Sequence, residues 1–196
     1  MKKLIRKLAL MAGIAIIGSG SSFAQKSGVF NTFSDYKTGK MEYGINCATE
    51  KHKIKLNDFW GKDYITVVHD GKSYDLRKDE IWGFQLCDEK IVRFQGKEDF
   101  NVSEKGLLWI YTKQTIQSGN PKNIASKYIT TYFFSKEGDG KILELTPDNV
   151  KDTFADNHKL HDAIDAQFTS IASLSEFDEY HNQYKINHFL EARGIK

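Results

Sequence analysis

Between about residue 40 and residue 145, apolar and polar positions alternate in short runs broken by turn residues. After Thr146 the apolar positions recur every three or four residues. The first pattern puts successive side chains on opposite faces of strands, and the second draws a stripe along a helix. The strand runs are Met41 to Thr49, His52 to Asn57, Tyr64 to His69, Lys72 to Arg77 and Ile81 to Cys87. They continue with Lys90 to Gln95, Phe100 to Ser103, Leu107 to Ile116, Lys127 to Phe134 and Lys141 to Leu145. Asp70-Gly71 joins two of these runs and is the strongest hairpin dipeptide, because a type I′ turn needs positive φ at both central residues. Gln117 to Ala125, with Gly119-Asn120-Pro121, reads as a surface loop, and Lys136 to Gly140 as another turn. Turn signals every 8–12 residues without helices between them argue for an antiparallel meander. Such a meander either bends as an open sheet or curls into a partly open barrel.

Thr146-Pro147 supplies a capping hydroxyl before a proline at the first helical position. Phe154, Leu160, Ile164, Phe168 and Ile171 then form a helical stripe, interrupted near Asp156-Asn157. Ser173 with Glu176 fits a capping box for a last helix carrying Phe177, Tyr180, Tyr184 and His188 on one face. The expected fold is α+β: an antiparallel meander followed by a C-terminal helical hairpin.

The first 24 residues stand apart. Lys2, Lys3, Arg6 and Lys7 precede an apolar run from Leu8 to Ile17, and Ser22 and Ala24 place small residues before Gln25. That is the layout of a secretory signal peptide cut between Ala24 and Gln25. The apolar run is too short for the roughly 20 residues of a membrane span. Residues 25–196 are expected to form one exported domain, periplasmic or extracellular, with about 40–145 β-rich and 146–196 helical. Without the leader the formal charge changes from +2 to −2, since the leader holds four Lys/Arg and no acid. A near-neutral chain with mixed signs carries no basic stripe for nucleic acid. No later apolar run approaches membrane-spanning length. The aromatic content of 13% excludes disorder and favours sheet.

Cys47 and Cys87 make an even pair in an exported chain, so a disulfide between two strands of the sheet is expected. No Cys-x-x-Cys, His-Glu-x-x-His, P-loop, G-x-G-x-x-G or EF-hand pattern occurs, and Gly18-Ser19-Gly20 belongs to the leader. No cofactor is implied. Two features hold candidate chemistry. His158, His161 and Asp165 share one helix face, and Asp178, His181 and His188 lie close to one face of the next. If the two helices pair antiparallel, imidazoles and carboxylates converge on a divalent ion. Otherwise these histidines are structural, since Phe168, Phe177 and Tyr184 already explain why the helices pack. The second feature is the aromatic supply of the sheet, where alternation puts Trp82 with Phe84 and Trp109 with Tyr111. These rings form either the sheet's core or a ligand-stacking surface.

Five stretches carry a resemblance: Tyr43-Gly44-Ile45-Asn46-Cys47, Asp70 to Tyr74, Ile81 to Phe84, Tyr132 to Ser135 and Asp156 to His161. With His181, Tyr184, Asn187 and His188, the chain resembles a family of small exported proteins from Bacteroidota-type bacteria. The resemblance implies an exported single domain and supplies no catalytic residue. The function expected is therefore a non-enzymatic domain that binds a protein or small-molecule partner through its sheet or loops. A metal-assisted enzyme using the helix His/Asp residues and a barrel holding a small apolar ligand are the alternatives.

Overall fold

The computed structural model describes residues 25–57, 61–117 and 127–195. The leader over residues 1–24, with the Ala24 side of its cut, and the loop around Gly119-Asn120-Pro121 lie outside the described residues.

Eight antiparallel strands form the main sheet. They are β1 (Lys26–Phe30), β2 (Glu42–Asn46), β6 (Gly83–Gln85), β7 (Ile91–Gln95), β8 (Glu98–Lys105), β9 (Trp109–Gln117), β10 (Lys127–Ser135) and β11 (Leu143–Glu144). Their order is β11-β10-β9-β8-β7-β6-β1-β2, so the sheet is open, with β11 and β2 at its edges. The strand order does not close on itself. From β6 to β11 every strand pairs with its successor, as closely spaced turn signals require. A second sheet contains β3 (Lys53–Lys55), β4 (Tyr64–His69) and β5 (Lys72–Arg77). Asp70 and Gly71 have φ of 49° and 73° and join His69 to its register partner Lys72. This is the two-residue turn that the dipeptide encodes.

β1 has no counterpart in the sequence pattern. Ser27 to Phe30 are buried continuously because the strand is covered on both faces and lies between β2 and β6, so no alternation marks it. The short helix α1 (Phe33–Thr38) follows, and Thr32 and Asp35 cap each other's backbone N–H groups.

Register assigns the two faces of the main sheet. Val92, Phe94 and Phe84 point towards β3–β5 and form one core with Val29, Ile65 and Val67. Ile110 and Phe134 lie on that same face at the other end, under the C-terminal segment. The opposite face carries Phe30, Ile91, Arg93, Phe100 and Tyr111 and is covered by α1 and the 136–142 turn. Trp82 belongs to this second face while Phe84 belongs to the first, which corrects the expectation that they share one. Trp82 precedes β6. Its backbone N–H reaches Phe30 O and Asn31 O, and its indole Nε1 donates to Gly138 O at 2.8 Å, so strand alternation does not govern it.

The C-terminal segment differs from a helical hairpin. It comprises α2 (Pro147–Thr153), α3 (His158–Gln167), α4 (Ile171–Leu174), the two-residue strands β12 (Phe177–Asp178) and β13 (Gln183–Tyr184), and α5 (Lys185–Ala192). Thr146 caps α2 as read, through Oγ1 accepting from Asn149 N at 3.2 Å. The box assigned to Ser173 and Glu176 is instead formed by Ser170 and Ser173 on α4. Helix is lost after Leu174 because the Asp178 carboxylate accepts from Tyr180 N at 3.0 Å and His181 N at 3.1 Å. These local bonds offer the backbone an alternative to the helical ladder. Asn182 then takes φ of 53°, which closes the hairpin. Leu108, Ile110, Phe134, Leu145, Leu160 and Ile186 are among the residues that join this segment to the sheet in the largest core.

Cys47 and Cys87 are bonded, with Cα atoms 5.7 Å apart. β2 and β6 are not neighbours, since β1 lies between them. The bond closes in the turns beyond their ends, where Cys47 N still donates to Gln25 O.

Candidate functional site

The sheet face opposite the C-terminal core carries a cluster of half-buried aromatic side chains. Phe33 and Tyr36 lie one turn apart on α1 and stack at 5.9 Å. Tyr36 stacks on Trp82 at 4.6 Å, and Trp109 meets Phe33 and Tyr36 edge-on at 5.6 and 5.7 Å. Trp82 is 7% exposed and belongs to the core, whereas Phe33, Tyr36 and Trp109 are half-buried. Beside Trp109 the surface opens into a groove of about 550 Å³, with Phe33, Leu107, Trp109, Phe154 and Ile195 as its apolar lining. Lys136, Glu137 and the backbone of Gly106 and Gly138 complete it.

Two glycine-bearing turns set the groove's shape. The 136–140 turn is held from beneath by a buried guanidinium. Arg93 Nη1 donates to Tyr111 OH at 2.7 Å and Ser135 Oγ at 3.1 Å, and Nη2 donates to Gly140 O at 2.6 Å. The Ser135 hydroxyl donates its own hydrogen bond to Glu137 O at 2.5 Å, so the Tyr111 hydroxyl donates to Ser135. Burial raises the Tyr111 pKa, with Arg93 acting in the opposite direction. A side chain at Gly138 would come within 2.2 Å of the Phe33 ring and 2.9 Å of Trp109, so only glycine lets both rings close over this turn. The second turn, 106–108, is pinned by α5. The buried Asn187 amide accepts from Leu108 N at 2.8 Å and donates to Leu108 O at 2.9 Å and to the Glu104 carboxylate. Glu104 in turn accepts from Tyr184 N at 2.5 Å.

The candidate metal ligands fall into two groups that no hydrogen bond, ion pair or ring contact joins among the described residues. On α3 the His158 and His161 rings are 5.7 Å apart, His161 Nε2 lies 3.0 Å from Phe154 O, and Asp165 is held by Lys151 at 2.8 Å. Around the β12–β13 hairpin, Asp178, His181 and His188 do converge. Asp178 Oδ2 bonds His181 Nδ1 at 2.8 Å, and the His181 and His188 rings stack at 3.7 Å with planes 22° apart. Nitrogen lone pairs lie in the ring planes, so two nearly parallel stacked rings do not aim at one shared ion. Among the described residues no group of three or more His, Cys, Asp or Glu is arranged to hold a metal ion. The hydrogen bond from His181 lowers the Asp178 pKa, so this cluster is a carboxylate–imidazole pair carrying a stacked second ring.

His52 was not singled out by sequence, yet it makes a contact of catalytic appearance: Nε2 lies 2.7 Å from Ser27 Oγ. The rest of the geometry makes it a structural tie. His52 Nδ1 faces Tyr43 O at 3.1 Å, and a carbonyl only accepts, so Nδ1 carries the proton. Ser27 Oγ also lies 2.7 Å from Gln85 O, and the residue is 1% exposed, leaving no approach for a substrate. Burial lowers the His52 pKa.

Comparison with protein-family models, curated proteins and solved structures returned no match. The fold and the groove therefore carry the functional reading. The fold defines a disulfide-linked α+β domain with an open antiparallel sheet. Among the described residues, no helix is long and apolar enough to cross a membrane.

Proposed function

We propose that this is an exported, non-enzymatic binding domain that holds a small ligand in the groove above Trp109. The observation that carries the reading is a half-buried indole on the floor of a groove of about 550 Å³, within the roughly 300–1,000 Å³ of small-molecule sites. Four chain segments contribute apolar side chains there: α1, the β8–β9 turn with β9, the residue following α2, and the end of the chain after α5. Export is supported by the charged and apolar pattern of residues 1–24 and by the disulfide, which persists in oxidising compartments. The groove has no nucleophile–base pair, and its two ionisable lining residues, Lys136 and Glu137, are exposed. That composition supports recognition rather than turnover.

A thermal-shift screen of the full chain against sugars, short peptides and small amphiphiles tests the reading, with Trp109→Ala as control. Ligands that raise the midpoint of the wild type are expected to lose most of that effect in the variant. Ligands that stabilise both proteins equally would place binding elsewhere and contradict the proposal.

A further inference from the structure

We propose that the groove takes an uncharged, largely apolar small molecule with one hydrogen-bond acceptor, an aryl or alkyl ketone or ester, whose oxygen accepts from the indole N–H of Trp109. This rests on the reading of the groove as a ligand site and goes further by assigning the ligand's chemistry. The two tryptophans of this face differ in one respect. Trp82 Nε1 is committed to Gly138 O at 2.8 Å. No group among the described residues accepts from Trp109 Nε1. The buried side-chain polar atoms without a partner among those residues are His69 Nδ1 and Arg93 Nε, so the indole nitrogen of Trp109 is not enclosed and meets solvent. The ring edge that carries it faces the groove. A Cβ at Gly138 would come 2.9 Å from Trp109 Cζ2, which like Nε1 is bonded to Cε2, and both residues line the groove. An indole nitrogen only donates, so its complement is a lone pair on the ligand.

The rest of the lining selects against other classes. It holds no Ser, Thr, Asn, Gln, Asp or His side chain, so most of a sugar's hydroxyls would be covered without partners. One ammonium, Lys136, and one carboxylate, Glu137, leave the lining without net charge. The Lys136 ammonium already lies 5.4 Å from the Phe154 centroid. An ionised ligand would lose hydration there without a surplus of opposite charge to replace it. An uncharged alkyl or aryl body instead meets five apolar side chains and gains from every apolar surface it removes from water. A single donor on an apolar wall then fixes the ligand's orientation, the division of labour usual in small-molecule sites.

Butyrophenone is the probe. Butylbenzene is its counterpart, with a methylene in place of the carbonyl, and 4-phenylbutyrate supplies an anion of similar shape. Each is titrated into the nitrogen-15-labelled full chain, and the Trp109 indole resonance is followed. Butyrophenone should move the indole proton downfield and saturably, as a new hydrogen bond does, and butylbenzene should not move it downfield. Trp109→Phe keeps an aromatic face and removes the donor. It should weaken butyrophenone about fivefold more than it weakens butylbenzene, the scale of one net hydrogen bond. 4-Phenylbutyrate should bind no more tightly than butyrophenone. Should Trp109→Phe weaken butyrophenone and butylbenzene equally, with no downfield movement in the wild type, the acceptor assignment is overturned while the groove stands as an apolar site. Tighter binding of 4-phenylbutyrate than of butyrophenone, lost in Lys136→Ala, would overturn the uncharged class. Should none of the three perturb Trp109, both readings are overturned. The wild-type resonance decides the matter even where the variant fails to fold.

Discussion

Replacing Asn187 by leucine removes a side chain of similar size that substitutes for a strand partner at Leu108. The Asn187 amide satisfies both the N–H and the C=O of Leu108, and Leu108 and Asn187 are both 0% exposed. Leucine leaves these two backbone groups buried without partners, at about 1–3 kcal/mol each. The Glu104 oxygen that faced the amide also loses its donor, although its other oxygen keeps Tyr184 N at 2.5 Å. The expected loss is therefore about 2–6 kcal/mol, a large share of the roughly 5–15 kcal/mol of a typical domain. Urea unfolding followed by far-ultraviolet circular dichroism measures it as a lowered midpoint at unchanged slope. Asn187→Asp separates the hydrogen-bond account from simple packing. One oxygen still accepts Leu108 N–H, but the other meets Leu108 O and the Glu104 carboxylate, so stability should fall at neutral pH and partly recover as the new carboxylate protonates. A leucine variant within about 0.5 kcal/mol of wild type would refute the reasoning, because surface substitutions alone produce that much.

Cys47→Ser should cost about 4 kcal/mol in the chain-entropy model, given the separation of 40 residues, and reduction of the wild type should reproduce the loss. An unfolding midpoint insensitive to reductant would count against it. His52 should titrate below its ordinary value of 6.5, because burial disfavours the imidazolium. Its contribution to stability is complete above pH 6.5 and is lost as pH falls through the lower folded value, and a nuclear magnetic resonance titration midpoint at or above 6.5 would contradict this. His161→Ala and His188→Ala should alter stability and leave metal content at background. Stoichiometric zinc in the purified chain, lost in both variants, would instead promote the metal-assisted enzyme.

Where local chemistry and long-range packing agree, the fold was legible. Asp70-Gly71, Thr146-Pro147 and the alternation from Tyr64 to Arg77 each encode their own geometry, so β4–β5 and α2 follow from the residues themselves. β1 was invisible because a strand buried on both faces loses its period. α1 was missed although Thr32-x-x-Asp35 is a capping signature, since six residues give too little periodicity to notice. The last helix was overcalled for the opposite reason: Phe177, Tyr180, Tyr184 and His188 keep a helical spacing, but Asp178 diverts the backbone into a turn and leaves Tyr180 90% exposed. Of the site, Trp109 stood out as an aromatic position in the sheet. Phe33, Phe154 and Ile195 come from other segments, and only tertiary structure assembles them into one groove.

The most direct test of the groove as the binding site is the indole N–H resonance of Trp109 during titration of the full chain with whichever screened ligand most raises the unfolding midpoint. Saturable movement of that resonance, with Trp82 nearly still because its Nε1–H is committed to Gly138 O, is the predicted result. A Trp109 signal that stays in place while other residues shift would contradict it.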